Sequence, residues 1–93
     1  MGYRIELGDI ESNLLKIDEI REAVVVADYK EGTSIVKSIK AFITVSCDIL
    51  VNDIKNKLKE TLPEYMIPKK ISILDKIPVN DNGKYDRKKL KKL

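Results

Sequence analysis

Histidine and tryptophan are both missing from this 93-residue chain, and cysteine occurs once, at Cys47. A single cysteine excludes an intrachain disulfide, and the lack of histidine excludes a zinc site of the usual Cys/His kind. Cys47 follows an alternating apolar run with no basic partner in view, which marks it as a strand-end residue rather than a reactive thiol. Apolar runs reach only a few residues, far short of the roughly 20 that cross a bilayer, and no signal-peptide pattern follows Met1. Nothing here points to a membrane or away from the cytoplasm. Repeats, low-complexity segments and internal linkers are also lacking, so one small domain is expected.

What is present suits a folded chain. Hydrophobic residues make up 43% and charged residues 35%, too apolar for a disordered segment. At this length roughly 60 to 65% of the unfolded surface can be buried, so the core will be modest. The net charge of +3 is unevenly placed: residues 80–93 hold Lys84, Arg87, Lys88, Lys89, Lys91 and Lys92 against Asp81 and Asp86, so they carry +4 and the rest of the chain −1. Such an end can attract nucleic acid or another anion through its field, as a stand-alone basic module would, although a solvated helix face is the commoner case. No aromatic alternates with those lysines, which argues against single-strand binding by base stacking.

The most informative stretch is Val79 to Leu90, VNDNGKYDRKKL. Asn-Gly readily accepts positive φ, so Asn80 to Gly83 should form a tight turn with Lys84 at its exit. Asp86 can cap a short helix beginning near Arg87, with Leu90 and Leu93 as its apolar contacts. A lysine on a glycine turn, propped by a helix, is suited to handling an anion, while a plain surface lysine is the simpler alternative.

Upstream, Tyr3-Arg4-Ile5 is a short strand or a loop end. Leu7, Ile10, Leu14 and Ile17 recur at helical spacing and predict a helix over 7–17, in which Gly8 suggests a close backbone contact. Glu6, Asp9 and Glu11 lie in its first turns, where the helix dipole favours acids. Glu22 to Tyr29 is a β-branched run expected to be a central strand, joined through a loop over 30–37 to a second strand over 38–46 in a hairpin. Val51, Ile54, Leu58 and Leu62 predict a helix over about 50–61, with Asp48 or Asn52 as cap and Pro63 as its end. A third strand over 71–74 follows Ile67-Pro68. Tyr65 and Met66, between helix and strand, suit packing better than ligand contact. The order gives an α+β fold: a small three-stranded sheet covered by two amphipathic helices, then the lysine turn and a short helix.

Three segments, GYRIELGDIE at 2–11, LPEYMIP at 62–68 and NGKYDRKKL at 82–90, stand in this order along nearly the whole chain. Together they make the chain resemble the C-terminal subdomain of the adenylate-forming ligases, nearest in wording to the amino-acid-activating branch. That branch includes nonribosomal peptide synthetase adenylation domains and D-alanine–carrier protein ligases. The resemblance implies a mobile lid that serves two steps: a carboxylate and ATP give an acyl-adenylate, then the acyl group passes to a phosphopantetheine thiol on a carrier protein. It puts Lys84 at the catalytic lysine, with Asn82 and Gly83 positioning it. Gly2, Tyr3 and Arg4 fall in the segment that serves thioester formation, with Gly2 lining the thiol's path. Arg4 near the phosphate ligands and Arg4 in a surface salt bridge are equally open. Glu6 and Asp86 are implied as structural support.

Several parts of the family pattern are lacking. The hinge and basic segment that usually precede GYRIE are not found, nor is a Gly-rich phosphate loop or a carboxylate pair for Mg²⁺. The chain therefore reads as a fragment, residues 1–93 being the lid. A larger N-terminal subdomain would hold ATP or AMP, Mg²⁺ and the amino acid or other carboxylic acid. Leu50 also departs from the small polar helix cap frequent in the family.

Overall fold

The computed structural model describes residues 6–29, 31–32 and 36–93. Helix α1 (Leu7–Leu15) leads into strand β1 (Ile20–Tyr29), which pairs antiparallel with β2 (Val36–Val45). Helix α2 (Val51–Lys59), a single 3-10 turn over Glu64–Met66 and strand β3 (Lys70–Ile73) follow, and the short helix α3 (Arg87–Lys91) comes last. The sheet order is β1-β2-β3, with β3 parallel to β2. The α+β expectation therefore holds, with three strands and two amphipathic helices.

Alternation along the strands divides the core in two. Val25, Ala41 and Ile71 form one cross-strand row and point to the same side as Ala23, Ile39 and Ile43. Against them pack Ile10 and Leu14 of α1 with Ile54 and Leu58 of α2, all essentially inaccessible to water. Burying each such side chain stabilises the fold by about 1.5–3 kcal/mol before entropy is counted. On the other side Val24, Val26 and Phe42 meet Ile77 and Leu90, with Leu74 at the margin. Helices α1 and α2 thus cover one face, and the segment after β3, α3 included, covers the other.

That second cluster corrects the expected place of β1. The run from Ala23 to Ala27 is buried on both sides as predicted, yet the strand lies at the sheet edge and β2 is central. Burial on both faces comes from the helices and from the segment after β3, which a run of valines cannot distinguish from flanking strands.

Smaller differences have local causes. Helix α1 ends at Leu15 because the chain turns at once toward β1: Ile17 N–H bonds Leu14 O at 3.0 Å and Ile20 N–H bonds Ile17 O at 3.0 Å, leaving Ile17 buried in the turn. Among the described residues nothing lies within 4 Å of where a Cβ of Gly8 would stand, so none of them requires the glycine. Strands β2 and β3 occupy 36–45 and 70–73 rather than 38–46 and 71–74. Neither Asp48 nor Asn52 caps α2: the N-cap is Leu50, whose carbonyl accepts from Asp53 N–H and Ile54 N–H without help from a side chain. In the 3-10 turn Met66 is buried, as a packing residue should be, but Tyr65 is exposed. Leu93, expected beside Leu90, is 52% exposed. Cys47 is free and exposed just past β2.

Candidate functional site

The turn around Lys84 is built by Asn80. Gly83 N–H donates to Asn80 O at 3.0 Å, and Asn80 N–H donates to Lys84 O at 2.7 Å. The Asn80 side chain accepts twice through Oδ1, from Asn82 N–H at 2.9 Å and from Lys84 N–H at 3.1 Å. An asparagine that bonds backbone two residues on mimics a turn with its own side chain, which is why Asn suits the first position. Gly83 has φ 78° and no other residue of the turn has positive φ, so glycine alone takes the left-handed step. Among the described residues nothing lies within 4 Å of the place a Cβ would take, so conformation rather than space requires the glycine. Asn82 contributes its backbone N–H, and its side chain is exposed.

Two flanks hold the turn. Val79 and Tyr85 form an antiparallel bridge across its base, and Asp86 N–H donates to Pro78 O at 2.9 Å. Asp86 then caps α3 as expected, its Oδ1 accepting from Lys89 N–H at 3.0 Å. Capping satisfies one of the otherwise unpaired amides of a helix start. Leu90, fully buried, drives α3 onto the sheet.

Side chains that sequence reasoning did not single out complete the attachment. The Tyr85 hydroxyl donates to Glu22 Oε2 at 2.9 Å, while Glu22 Oε1 accepts from the buried Thr44 hydroxyl at 3.1 Å. The hydrogen bond to Glu22 raises the pKa of the Tyr85 hydroxyl above its ordinary value, and burial and then the Glu22 and Glu11 charges add to that shift. Arg87 Nη1 donates to Val25 O at 2.8 Å and to Glu11 Oε2 at 3.2 Å, and the same Glu11 oxygen accepts from Val25 N–H at 2.7 Å. One acid from α1 and one cation from α3 thereby satisfy both backbone groups of Val25 at the open edge of β1. The acid of α1 that appeared to serve the helix dipole serves the sheet edge instead.

Lys84 itself is exposed, and its ammonium has no ion pair or hydrogen bond among the described residues. Arg87 and Lys88 border the same open hollow as Lys84, with Glu22 on its floor. Such a site presents positive charge to an incoming anion and offers no enclosed cavity of its own. No group of three or more His, Cys, Asp or Glu that could hold a metal ion occurs among the described residues. Gly2, Tyr3 and Arg4 lie outside the described residues. Glu6 is the N-cap residue of α1, in an extended conformation, and its side chain does not cap the helix.

Comparison with known proteins identifies the family. The family description "AMP-binding enzyme C-terminal domain" matches residues 9–84. Gramicidin S synthase 2 of Brevibacillus brevis is 46% identical over 89 residues, which is 96% of this chain and 2% of that protein. The D-alanine–D-alanyl carrier protein ligase of Staphylococcus epidermidis is 45% identical over 93 residues, covering 96% of this chain and 19% of that protein. Among solved structures, a four-domain nonribosomal peptide synthetase bound to AMP and glycine superposes with a TM-score of 0.79 at 36% identity, over 92% of this chain and 6% of that one. The chain thus spans a small part of the length of the relatives it matches. It belongs to the AMP-binding enzyme C-terminal domain family, the C-terminal domain of adenylate-forming ligases.

Proposed function

We propose that residues 1–93 form the mobile lid of an ATP-dependent ligase that activates an amino acid or related carboxylic acid, and that Lys84 is its catalytic residue for adenylation. The observation that carries this reading is the exposed ammonium of Lys84, without a partner among the described residues, at the exit of a turn whose C-terminal flank is tied to the sheet through Tyr85 and Arg87. In adenylation a carboxylate oxygen attacks the α-phosphorus of ATP and the bond to pyrophosphate breaks. Two anions approach and charge spreads over the phosphoryl oxygens, so a positioned cation stabilises the transition state more than the ground state. Lysine's long stem can reach both the carboxylate and the phosphate.

In the second step a phosphopantetheine sulfur attacks the acyl carbon and AMP leaves. Here the lid has turned, Lys84 is withdrawn, and the segment of Gly2, Tyr3 and Arg4 serves thioester formation, with Gly2 at the thiol's path. The cations at the turn suit the anions of this chemistry; Mg²⁺, the adenine and the acyl pocket belong, on this reading, to a larger N-terminal subdomain. The partner is a carrier protein, and the reaction belongs in the cytoplasm with its ATP. Support for the division comes from the 19% of the D-alanine ligase that the chain matches. No described helix is long and apolar enough to cross a membrane.

The test is ATP–pyrophosphate exchange by the intact ligase. Replacing Lys84 with Ala should remove nearly all exchange, and an unchanged rate would refute the assignment.

A further inference from the structure

Lys84 and Tyr85 are neighbours at the base of the turn, where Lys84 O accepts from Asn80 N–H at 2.7 Å and Tyr85 bridges to Val79. Tyr85 has its direction fixed. Its hydroxyl reaches the first part of β1 at Glu22 Oε2, 2.9 Å away, and Glu22 is itself held through its other oxygen by Thr44 of β2 at 3.1 Å. Thr44 is only 5% exposed, so the anchor is set into the sheet and not into a mobile surface side chain. With Tyr85 held on the sheet, the exposed Lys84 beside it leaves from a backbone whose position that anchor helps to fix. The backbone bonds of the turn fix its shape, and its tilt relative to the sheet is set by the groups that reach across to β1; Arg87 and Leu90 hold the helix beyond, while Tyr85 is the one adjacent to the lysine.

We propose that Tyr85, anchored on Glu22, is a positioning residue that sets the direction in which Lys84 is presented. The proposal rests on the catalytic reading of Lys84 given above. Tyr85 touches neither reactant and acts through its neighbour: with the phenol hydroxyl removed, the turn keeps its hydrogen bonds and the lysine samples directions that miss the carboxylate and the α-phosphate. Misplacement by a fraction of a side-chain length weakens a charge that works by alignment.

A double-mutant cycle in the intact ligase separates this from a folding role. Tyr85→Phe keeps the ring and its packing, so the domain should stay folded. Pyrophosphate exchange should lose about tenfold in kcat, the loss expected of one hydrogen bond to a charged group, with KM for ATP little changed. Glu22→Gln should lose part of the same factor. In a Lys84→Ala background Tyr85→Phe should cost nothing further, and transfer from a chemically made acyl-adenylate to the carrier thiol should stay at the parent rate. An equal factor in both backgrounds, or a parallel loss in both half-reactions, would overturn the proposal. If Lys84→Ala lowers exchange and Tyr85→Phe does not, positioning fails while the catalytic reading stands; if Lys84→Ala has no effect, both fall. A second readout needs only this chain: the backbone ¹⁵N heteronuclear NOE of Gly83 and Lys84 should drop in Tyr85→Phe and stay constant in β2, and an unchanged turn would also overturn it.

Discussion

Glu11 and Arg87, 76 positions apart, meet at 3.2 Å over the edge of β1 and share the backbone of Val25 between them. The pair is partly exposed, so its charge–charge attraction alone is worth little. Its larger effect is that Val25 N–H and C=O, which have no neighbouring strand on that side among the described residues, both find partners.

Removing the acid should therefore cost more than a surface ion pair would. Glu11→Ala leaves Val25 N–H without its acceptor and is expected to destabilise the domain by about 1–3 kcal/mol. For a domain of this size each kcal/mol lowers Tm by roughly 4–8 °C. Glu11→Gln, which keeps an acceptor oxygen, should lose clearly less. Thermal unfolding of the two variants measures the difference, and equal losses would mean that the charge and not the amide bond matters.

Gly83→Ala tests the turn. At φ 78° a Cβ is disfavoured whatever the space around it, and the left-handed conformation costs about 1–2 kcal/mol for a residue other than glycine. Urea unfolding should show a loss of that size with an unchanged m-value.

Tyr85 gives a pH prediction with a definite sign. Its pKa is raised in the folded chain, chiefly by the hydrogen bond to Glu22. A raised folded value means that the neutral phenol is favoured by folding, so the contribution is complete below the unfolded value of about 10 and is lost as pH rises through the folded value. Tyr85 should ionise late in an absorbance titration at alkaline pH. Glu22→Gln should bring it back toward the ordinary tyrosine value, and a titration unaffected by that change would contradict the assignment.

How far the sequence alone reached can be seen in particular residues. The stripes of Ile10 with Leu14 and Ile54 with Leu58, the turn from Asn80 to Gly83 and the Asp86 cap are local patterns, set by periodicity or by contacts a few residues long, and all are found. Glu11, Glu22, Tyr85 and Arg87 were not legible as a set because their bonds cross 76 and 63 positions of chain. The edge position of β1 escaped for the same reason: only the fold brings Ile77 and Leu90 over Val24 and Val26. Asn80 could have been found, since an asparagine two residues before a turn centre is itself a signal.

The 93-residue chain by itself should have no adenylating activity, because one positioned cation without a nucleotide pocket cannot orient two reactants. Pyrophosphate exchange with ATP, Mg²⁺ and a set of amino acids is expected at background. Robust exchange would contradict the division of labour between lid and larger subdomain.

The central claim is that Lys84 serves adenylation and not thioester formation, and the ratio of the two half-reactions in one variant tests it most directly. In the Lys84→Ala ligase, pyrophosphate exchange should fall about 100- to 1000-fold, by analogy with the loss of a single transition-state donor. Transfer of a chemically made acyl-adenylate to the carrier thiol should proceed at close to the parent rate. Equal damage to both half-reactions, or adenylation left intact, would contradict the account.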